Sequence, residues 1–475
     1  MIPVTAFADR TVAVFGLGRS GLSAGRALLA GGSTVLAWDD DPAKCEAGRA
    51  LGLSIAAPAD WDWSSVEALV LSPGVPLDHP KPHPVVDLAR AAGCEVLGDV
   101  ELLARTMSDA RYVGITGTNG KSTTTALISH LLDAGGFDVQ VGGNLGTPVL
   151  DLEPLGSGGI YVLEMSSYQL DLLHELVFDV AVFLNVSPDH LDRHGGLDGY
   201  VAAKKRIFHG QTDGQSAVVG IDDPVSAGIR DTLVADGRRV VSISAKDAVA
   251  GGVYAEDGAL VDALDGAAET ICDLGTVRTL PGSHNHQNIA AAFATVRLLG
   301  MPAAAAVRAL KKFAGLPHRL EQVAEIDGVR YVNDSKATNV EAASHALAAY
   351  DAIYWIAGGR AKGDSLAPLD PLLPHVRHAY LIGEAAPTFA KDLDGKVAVT
   401  LSGTLSAAVH AASAAAAEVR EDEPVVLLSP ACASFDQFAN FEARGEAFKA
   451  LVLMLPGRDR AYGPPSPDRY AGDAA

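Results

Sequence analysis

Short apolar, β-branched runs recur along the chain, each followed by a glycine or proline turn and then by a longer stretch with apolar residues at helical spacing. Such alternation implies βαβ units and a parallel sheet. In the first block the strands read Thr11–Phe15, Thr34–Trp38, Ala68–Leu71 and Cys94–Leu97, with a helix running through Leu29. A second block starts near Gly98, with a strand from Tyr112, then Gly159–Glu164 and Asp179–Asn185. It continues through Gly-, Asp- and Ala-rich hairpins and loops over 244–275 to a helix over Asn288–Leu299, and Gly315–Arg319 reads as a linker. The third block contributes strands Val329–Asp334, Ala352–Ala357, His378–Gly383 and Pro424–Ser429 in a mostly parallel sheet. From about Gly457, with Pro464, Pro465 and Pro467, apolar content falls away and a frayed tail is expected. The pattern gives an α/β protein divided as 1–98, 99–316 and 317–456, with a flexible tail over 457–475.

Composition narrows the classes. A chain of 475 residues exceeds one ordinary core, and 48% hydrophobic content supports full burial. A formal charge of −21 would repel a nucleic-acid backbone, and the short basic runs Lys204-Lys205-Arg206 and Lys311-Lys312 read as solvated helix faces. Cys45, Cys94, Cys272 and Cys432 are widely spaced with no CxxC pairing, which suits free thiols in a reducing compartment. Asp9 and Arg10 interrupt the N-terminus where a secretory signal would be apolar, and no stretch approaches the roughly 20 apolar residues that span a bilayer. A soluble cytoplasmic protein, with neither nucleic-acid nor membrane partners, is expected.

The most specific chemistry lies at Tyr112–Thr125, where a strand runs into TGTNGKST and opens a helix. Glycines let backbone N–H groups close on phosphate oxygens, the helix N-terminus adds partial positive charge, and a lysine and a hydroxyl serve outer phosphates and Mg²⁺. The ATP-binding candidates are therefore Gly117, Thr118, Asn119, Gly120, Lys121, Ser122 and Thr123, although Ile115 stands where the common GxxxxGK(S/T) pattern has glycine. Gly16-Leu-Gly-Arg-Ser-Gly21, trailed by Asp39, also satisfies a dinucleotide pattern and taken alone suggests NAD. Glu164 closes a strand where a carboxylate could bind Mg²⁺ directly or through water, and His190 lies in the neighbouring loop as ligand, substrate contact or ordinary loop histidine. Lys204 reads as a surface lysine. His284 and His286 lack the second pair that a metal motif supplies, so a cap before the helix with polar contacts to a base suits them better. Three polar loops follow third-block strands: Asn333–Asn339, Gly358–Asp364 and Ser429–Gln437; within the last, Cys432 has no Cys/His partner and reads as an inert thiol.

The strings TGTNGKST, LEMSSYQL, LNVSPDHLDRH, AAKKRIF, GSHNHQNIAAA, GLPHR, NDSKATN, GGRAKG and LSPACASFDQFANFEARG together resemble the Mur ligases of peptidoglycan synthesis, in order from Gly16 to about Gly445. GTNGKST is shared with folylpolyglutamate synthases; NDSKATN and SPACASFDQFANFEARG point to the D-glutamate-adding branch. The resemblance implies a Rossmann-like N-terminal domain, a central P-loop ATPase-like domain and a Rossmann-like C-terminal domain. It implies ATP- and Mg²⁺-dependent ligation of D-glutamate to UDP-N-acetylmuramoyl-L-alanine through an acyl phosphate, by a cytoplasmic monomer in cell-wall synthesis. Because ATP held by the second block must meet an amino acid held by the third, the third domain is expected to close on the second around the 315–319 linker.

By that resemblance Lys121 and Ser122 serve ATP and Mg²⁺, Glu164 and His190 hold a second Mg²⁺, and Lys204 matches a lysine that is carbamylated to support the metal. Asn285 and Asn288 match adenine-side positions, Arg319 a phosphate contact and Asp334 a ribose contact. Thr338, Lys362, Ser434 and Phe441 match the D-glutamate pocket. Arg19, Ser20, Ser72, Pro73, Gly74, Asn144 and His190 match positions near the UDP-sugar, so the first glycine turn would hold a uridine diphosphate rather than NAD. One departure stands out: Asp40-Asp41 replaces the Thr-Arg that relatives often carry, and two acids cannot make the same phosphate contact. Another amide ligase with a different acceptor, an NAD-dependent dehydrogenase and a non-catalytic nucleotide-binding module are the alternatives.

Overall fold

The computed structural model describes residues 1–277, 279–361, 365–418, 423–457 and 459–461. It is an α/β protein with three sheets, one to each of three domains. The first sheet has β1 (Thr11–Phe15), β2 (Thr34–Trp38), β3 (Ser54–Ile55), β4 (Val66–Leu71) and β5 (Glu95–Leu97) in the order β3-β2-β1-β4-β5, all parallel. Its order reverses between β1 and β4, the crevice where ligands of open α/β sheets bind.

The second sheet comprises β6 (Arg111–Thr116), β7 (Val139–Gly143), β8 (Ile160–Glu164), β9 (Val180–Phe183), β10 (Ser216–Gly220), β11 (Val240–Ser244), β12 (Val253–Glu256), β13 (Ala259–Asp262) and β14 (Glu269–Asp273). Their order is β14-β13-β12-β11-β10-β9-β6-β8-β7, with β12, β13 and β14 antiparallel, so the expected hairpins extend this sheet. Strands β6, β8 and β9 are apolar on both faces because helices cover both, which is why they read as unbroken runs rather than alternations. Burying them leaves their polar carboxyl-end loops as the place for chemistry.

The third sheet holds β15 (Glu321–Ile326), β16 (Val329–Asn333), β17 (Ile353–Gly358), β18 (Val376–Ile382), β19 (Val399–Gly403), β20 (Val425–Leu428) and β21 (Asp459–Ala461) in the order β19-β18-β17-β20-β16-β15-β21. It is parallel from β19 to β16 and antiparallel beyond. Strands β3, β7, β10, β11, β15, β19 and β21 are absent from the sequence reading; among them EQVAEI interleaves charge with apolar residues, and VTLSG sits at an edge with little burial. The segment expected to be a frayed tail thus carries β21 at Asp459–Ala461, paired with β15; residues 462–475 lie outside the described residues.

The described residues divide into two compact units, one with residues 1–274 and 286–311, the other with 275–285 and 312–461. Among the described residues no helix is long and apolar enough to cross a membrane.

Candidate active site

The phosphate loop leaves β6 at Thr116. Gly117 adopts φ +151° and Gly120 φ +85°, where an L side chain is strained; a Cβ on Gly120 would also collide with Asn288 Oδ1. Gly120 caps the helix Lys121–Ala134, whose N-terminal amides form an anion site. Thr118 is held by its N–H to Asn185 O (2.9 Å) and by its hydroxyl, which donates to Ser187 O (3.1 Å) and lies 3.3 Å from the Tyr200 hydroxyl. Ser122 and Thr123 begin the helix, the former half-buried and the latter buried.

Two lysines converge on this loop. Lys121 Nζ donates to Gly117 O at 2.9 Å and to Thr118 O at 2.8 Å, and Lys204 Nζ donates to the same Gly117 O at 2.8 Å. Lys204 is 1% exposed with its ammonium 4.6 Å from the Tyr200 ring centroid, which corrects the surface reading: the helix Leu197–Lys205 turns this residue inward while Lys205 stays outside. Burial, then the charge of Lys121, pushes the Lys204 pKa down to about 7, against the opposing pull of Asp189 and Glu164. Near neutrality its amine is therefore substantially unprotonated.

Glu164 is 2% exposed. Its Oε1 accepts from Asn144 Nδ2 at 2.6 Å, while Oε2 is buried with no hydrogen-bond partner among the described residues. An orphaned carboxylate oxygen beside a phosphate loop fits a Mg²⁺ ion that keeps waters and takes phosphate oxygens for its other ligands. No group of three or more His, Cys, Asp or Glu suited to a metal occurs among the described residues, so an all-protein cage does not fit. Asn144 thus orients the carboxylate, an assignment the sequence did not suggest. His190, at φ +50° and half exposed, lies 3.5 Å from Asp189 and packs tilted against Tyr168. Sequence reasoning passed over its buried neighbour His194, which stacks on Tyr168 and bonds Ser167 Oγ at 2.9 Å; burial lowers its pKa.

A cleft of about 420 Å³ opens beside these rings, lined by Pro73, Asp78, Tyr168, Asp171, Arg193 and Arg206 among others. Arg193 donates to Gly74 O at 3.2 Å, tying the Ser72–Gly74 turn after β4 to the histidine loop. Ser72 Oγ donates to Gly16 O at 2.6 Å, and a Cβ on Gly16 (φ +89°) would press on Ser72. That packing accounts for the glycine, and Asp39 Oδ2 accepts the Leu17 N–H at 2.6 Å, so the acid an NAD ribose would need is already engaged. Arg19 donates to Gly146 O at 2.5 Å, and Ser20 bonds the buried Asp99, whose pKa burial raises to about 6. The two acids of the departure have partners of their own: Asp40 bonds His83 Nε2 at 3.0 Å, and Asp41 caps the helix Pro42–Ala50 through Ala43 N–H at 2.9 Å.

The histidine string is not a loop before a helix. Ser283–Leu298 is helical, so Asn285, His286 and Asn288 occupy its first turns. Gly282, at φ +87°, sets the start one turn earlier than the alanine run suggests. Asn288 Oδ1 accepts from Thr124 Oγ1 at 3.2 Å and abuts Gly120, while Asn285 Nδ2 donates to Pro281 O at 2.7 Å.

In the second unit, Asp334 is buried after β16; its oxygens accept from Ser429 Oγ (2.8 Å) and Leu320 N–H (3.2 Å). Burial raises its pKa to about 7 despite Ser429 and the nearby positive charge of Arg319. Arg444, unread from the sequence, is 1% exposed and clasps two of the polar loops: it donates to Ser335 Oγ and O (2.9 and 2.8 Å) and to Cys432 O (3.1 Å). Ser335 Oγ in turn donates to Phe441 O at 2.8 Å, and Lys336 Nζ lies 5.9 Å from the Phe441 ring centroid. Ser434 is buried and Thr338 half-buried in the same loops. Lys362 lies outside the described residues.

Residues 115–296 match the Mur ligase middle domain and residues 318–432 the Mur ligase, glutamate ligase domain. A UDP-N-acetylmuramoylalanine--D-glutamate ligase of Caulobacter vibrioides is 55% identical over 462 residues, covering 96% of this chain and 98% of that protein. Its namesake in Rhodospirillum rubrum is 50% identical over 461 residues, with 96% and 97% covered. The crystal structure of a UDP-N-acetylmuramate-alanine ligase of Thermotoga maritima aligns with a TM-score of 0.55 at 16% identity over 94% of this chain and 99% of that one, a likeness of fold.

Proposed function

The chain belongs to the UDP-N-acetylmuramoylalanine--D-glutamate ligase family of the Mur ligases, and from that premise we propose which of its residues carry the reaction. The reaction joins D-glutamate to UDP-N-acetylmuramoyl-L-alanine at the expense of ATP. A carboxylate oxygen of the alanyl group attacks the γ-phosphorus and ADP departs; the amine nitrogen of D-glutamate then attacks the acyl carbon, expelling phosphate and losing a proton. Neither step needs a protein nucleophile, so positioning and charge neutralisation are the protein's task.

The observation that carries the reading is the convergence of Lys121 and Lys204 on one loop carbonyl beside Glu164, whose buried Oε2 has no hydrogen-bond partner among the described residues. Lys121 neutralises charge on the transferring phosphoryl group; Ser122 would hold the Mg²⁺ that accompanies ATP, and Glu164 and His190 would hold a second Mg²⁺, the ions supplying the charge that screens the phosphate oxygens from the incoming carboxylate. Lys204 becomes a carbamate: its unprotonated nitrogen adds to the carbon of CO₂ and releases a proton, converting a cation into an anion that supports the ion. A pKa near 7 supports that step, since an ammonium has no lone pair to offer.

Arg19, Ser20, Ser72, Pro73, Gly74, Asn144 and His190 serve the UDP-sugar. Asp40 and Asp41, being engaged by His83 and by a helix N-terminus, leave diphosphate contacts to other groups. Asn285 and Asn288 serve the adenine side, and Arg319 and Asp334 the phosphate and ribose. Thr338, Lys362, Ser434 and Phe441 receive D-glutamate, and Arg444 holds their loops in place. A cytoplasmic monomer suits substrates that are all small and soluble.

Phosphate release is the test. It is expected only when ATP, UDP-N-acetylmuramoyl-L-alanine and D-glutamate are all present; turnover without D-glutamate, or with L-lysine in its place, sinks the reading. For the carbamate, activity in CO₂-depleted buffer is expected to fall severalfold and to recover on adding bicarbonate, and indifference to CO₂ would remove that step.

A further inference from the structure

We propose that Asp222, Gln287 and Asn185 form a positioning relay that fixes the Asn119 peptide of the phosphate loop and so sets the loop's affinity for the nucleotide triphosphate. The relay crosses the carboxyl ends of three adjacent strands, β10, β9 and β6. Asp222 follows β10, Asn185 follows β9 and Asn119 follows β6, while Gln287 reaches in from the helix Ser283–Leu298. Asp222 accepts from Ser244 Oγ (2.5 Å), Ala245 N–H (2.9 Å) and Gln287 Nε2 (2.8 Å). Gln287 Oε1 accepts from Asn185 Nδ2 at 3.1 Å. The Asn185 amide then grips both polar atoms of the Asn119 backbone: Oδ1 accepts its N–H at 2.9 Å and Nδ2 donates to its carbonyl at 3.2 Å.

The direction of every bond follows from Asp222. A carboxylate can only accept, so Gln287 must present its NH₂ to it and its oxygen to Asn185, and Asn185 must then present its oxygen to the Asn119 N–H. Neither amide can flip without placing two donors or two acceptors face to face. Gly220 makes room for the relay, since a Cβ there would lie 2.9 Å from Gln287 Nε2. The same helix places Asn288 against Gly120, so one rigid element steadies the loop at two points. With Asn119 held at both backbone atoms, the turn before the helix N-terminus keeps its shape instead of reorganising each time a triphosphate binds, and a preorganised site binds more tightly.

The proposal rests on the loop being the ATP site of the ligase reading, and its test separates the two. Binding of a non-hydrolysable ATP analogue is measured by titration calorimetry on full-length protein, alongside KM values in the ligation assay. In Gln287→Glu, a carboxylate faces Asp222 with no proton to donate; analogue affinity and KM for ATP are expected to worsen about tenfold, with kcat at saturating ATP and KM for the other two substrates within about threefold of wild type. Wild-type analogue affinity in this variant overturns the relay. If Gln287→Glu does not fold, Gln287→Met keeps the volume without the polar ends: weakened analogue binding at unchanged KM for D-glutamate supports the relay, and unchanged binding overturns it. Wild-type protein that binds the analogue but does not ligate would instead refute the ligase reading and leave the relay standing.

Discussion

Lys204 shows how much one side chain can carry that its neighbours in sequence do not reveal. Lys205 is exposed and Lys204 is buried, although the two are adjacent in an unremarkable helical string. Its pKa is depressed to about 7 from an unfolded value near 10.5. Between those values the unfolded chain binds more protons than the folded one, so stability rises with pH across the window, and the burial cost is fully present below about 7. Lys204→Met should therefore abolish ligation yet raise the melting temperature in CO₂-depleted buffer, most at pH 6 and least at pH 10; a scan of both proteins against pH checks this. Glu164→Gln is the companion test. It retains the Asn144 bond, since the amide oxygen of the new side chain still accepts from Asn144 Nδ2, but it removes the charge at Oε2. A fall in kcat of about 10²-fold with near-native melting temperature is expected, read from Mg²⁺ titrations of the rate.

At the scale of elements, the substitution of two acids after β2 has a local account. Asp41 caps the free Ala43 N–H of the helix Pro42–Ala50, and Asp40 ties the same turn to His83, itself packed at a tilt against Phe15 at the end of β1. Asp41→Ala should cost about 1 kcal/mol of stability in its unit, measurable by chemical denaturation, while Asp41→Asn should recover most of it. Element reading from sequence worked where periodicity was strong: β1 and β2 are predicted to the residue, and the hairpins over 244–275 are found as β12 to β14. It failed for β15 and β19, whose residues alternate with charge or lie at an edge, for the short runs β7, β10 and β11, and for the helix start at Ser283, where polar residues gave no apolar stripe to follow.

Over the whole molecule, several buried ionisable groups work against stability near neutral pH. Asp99 and Asp171 are raised to about 6 and Asp334 to about 7, in each case chiefly by burial. For these acids the folded state holds protons the unfolded state has lost, so their burial is free below about 4 and its cost is complete above their folded values. With Lys204 contributing in the opposite sense, the summed contribution of these four groups is least favourable around pH 7. Asp334→Asn preserves both hydrogen-bond positions, the amide donating to Ser429 Oγ and accepting from Leu320 N–H. Its melting temperature should exceed wild type at pH 8 and match it at pH 4, while KM for ATP rises. Stability given up at Asp334 and Lys204, the two of these groups assigned to the reaction, is the usual compromise between a rigid fold and a working site.

The sequence alone determined the class of chemistry and the order of the parts. Strand, glycine turn and Lys-Ser are local in the chain, and a phosphate loop is made by local backbone geometry, so its residues are legible without a fold. Glu164, at a strand's carboxyl end, was legible for the same reason. Tertiary structure decided which polar groups face one another: that Lys204 is inside and shares a carbonyl with Lys121, that Asn144 aims Glu164, that Arg444 joins two loops about a hundred residues apart, and that Asp222, Gln287 and Asn185 steady Asn119. These depend on contacts between segments far apart in sequence, whose burial and electrostatics come into being only when neighbouring strands bring their loops to one edge of a sheet.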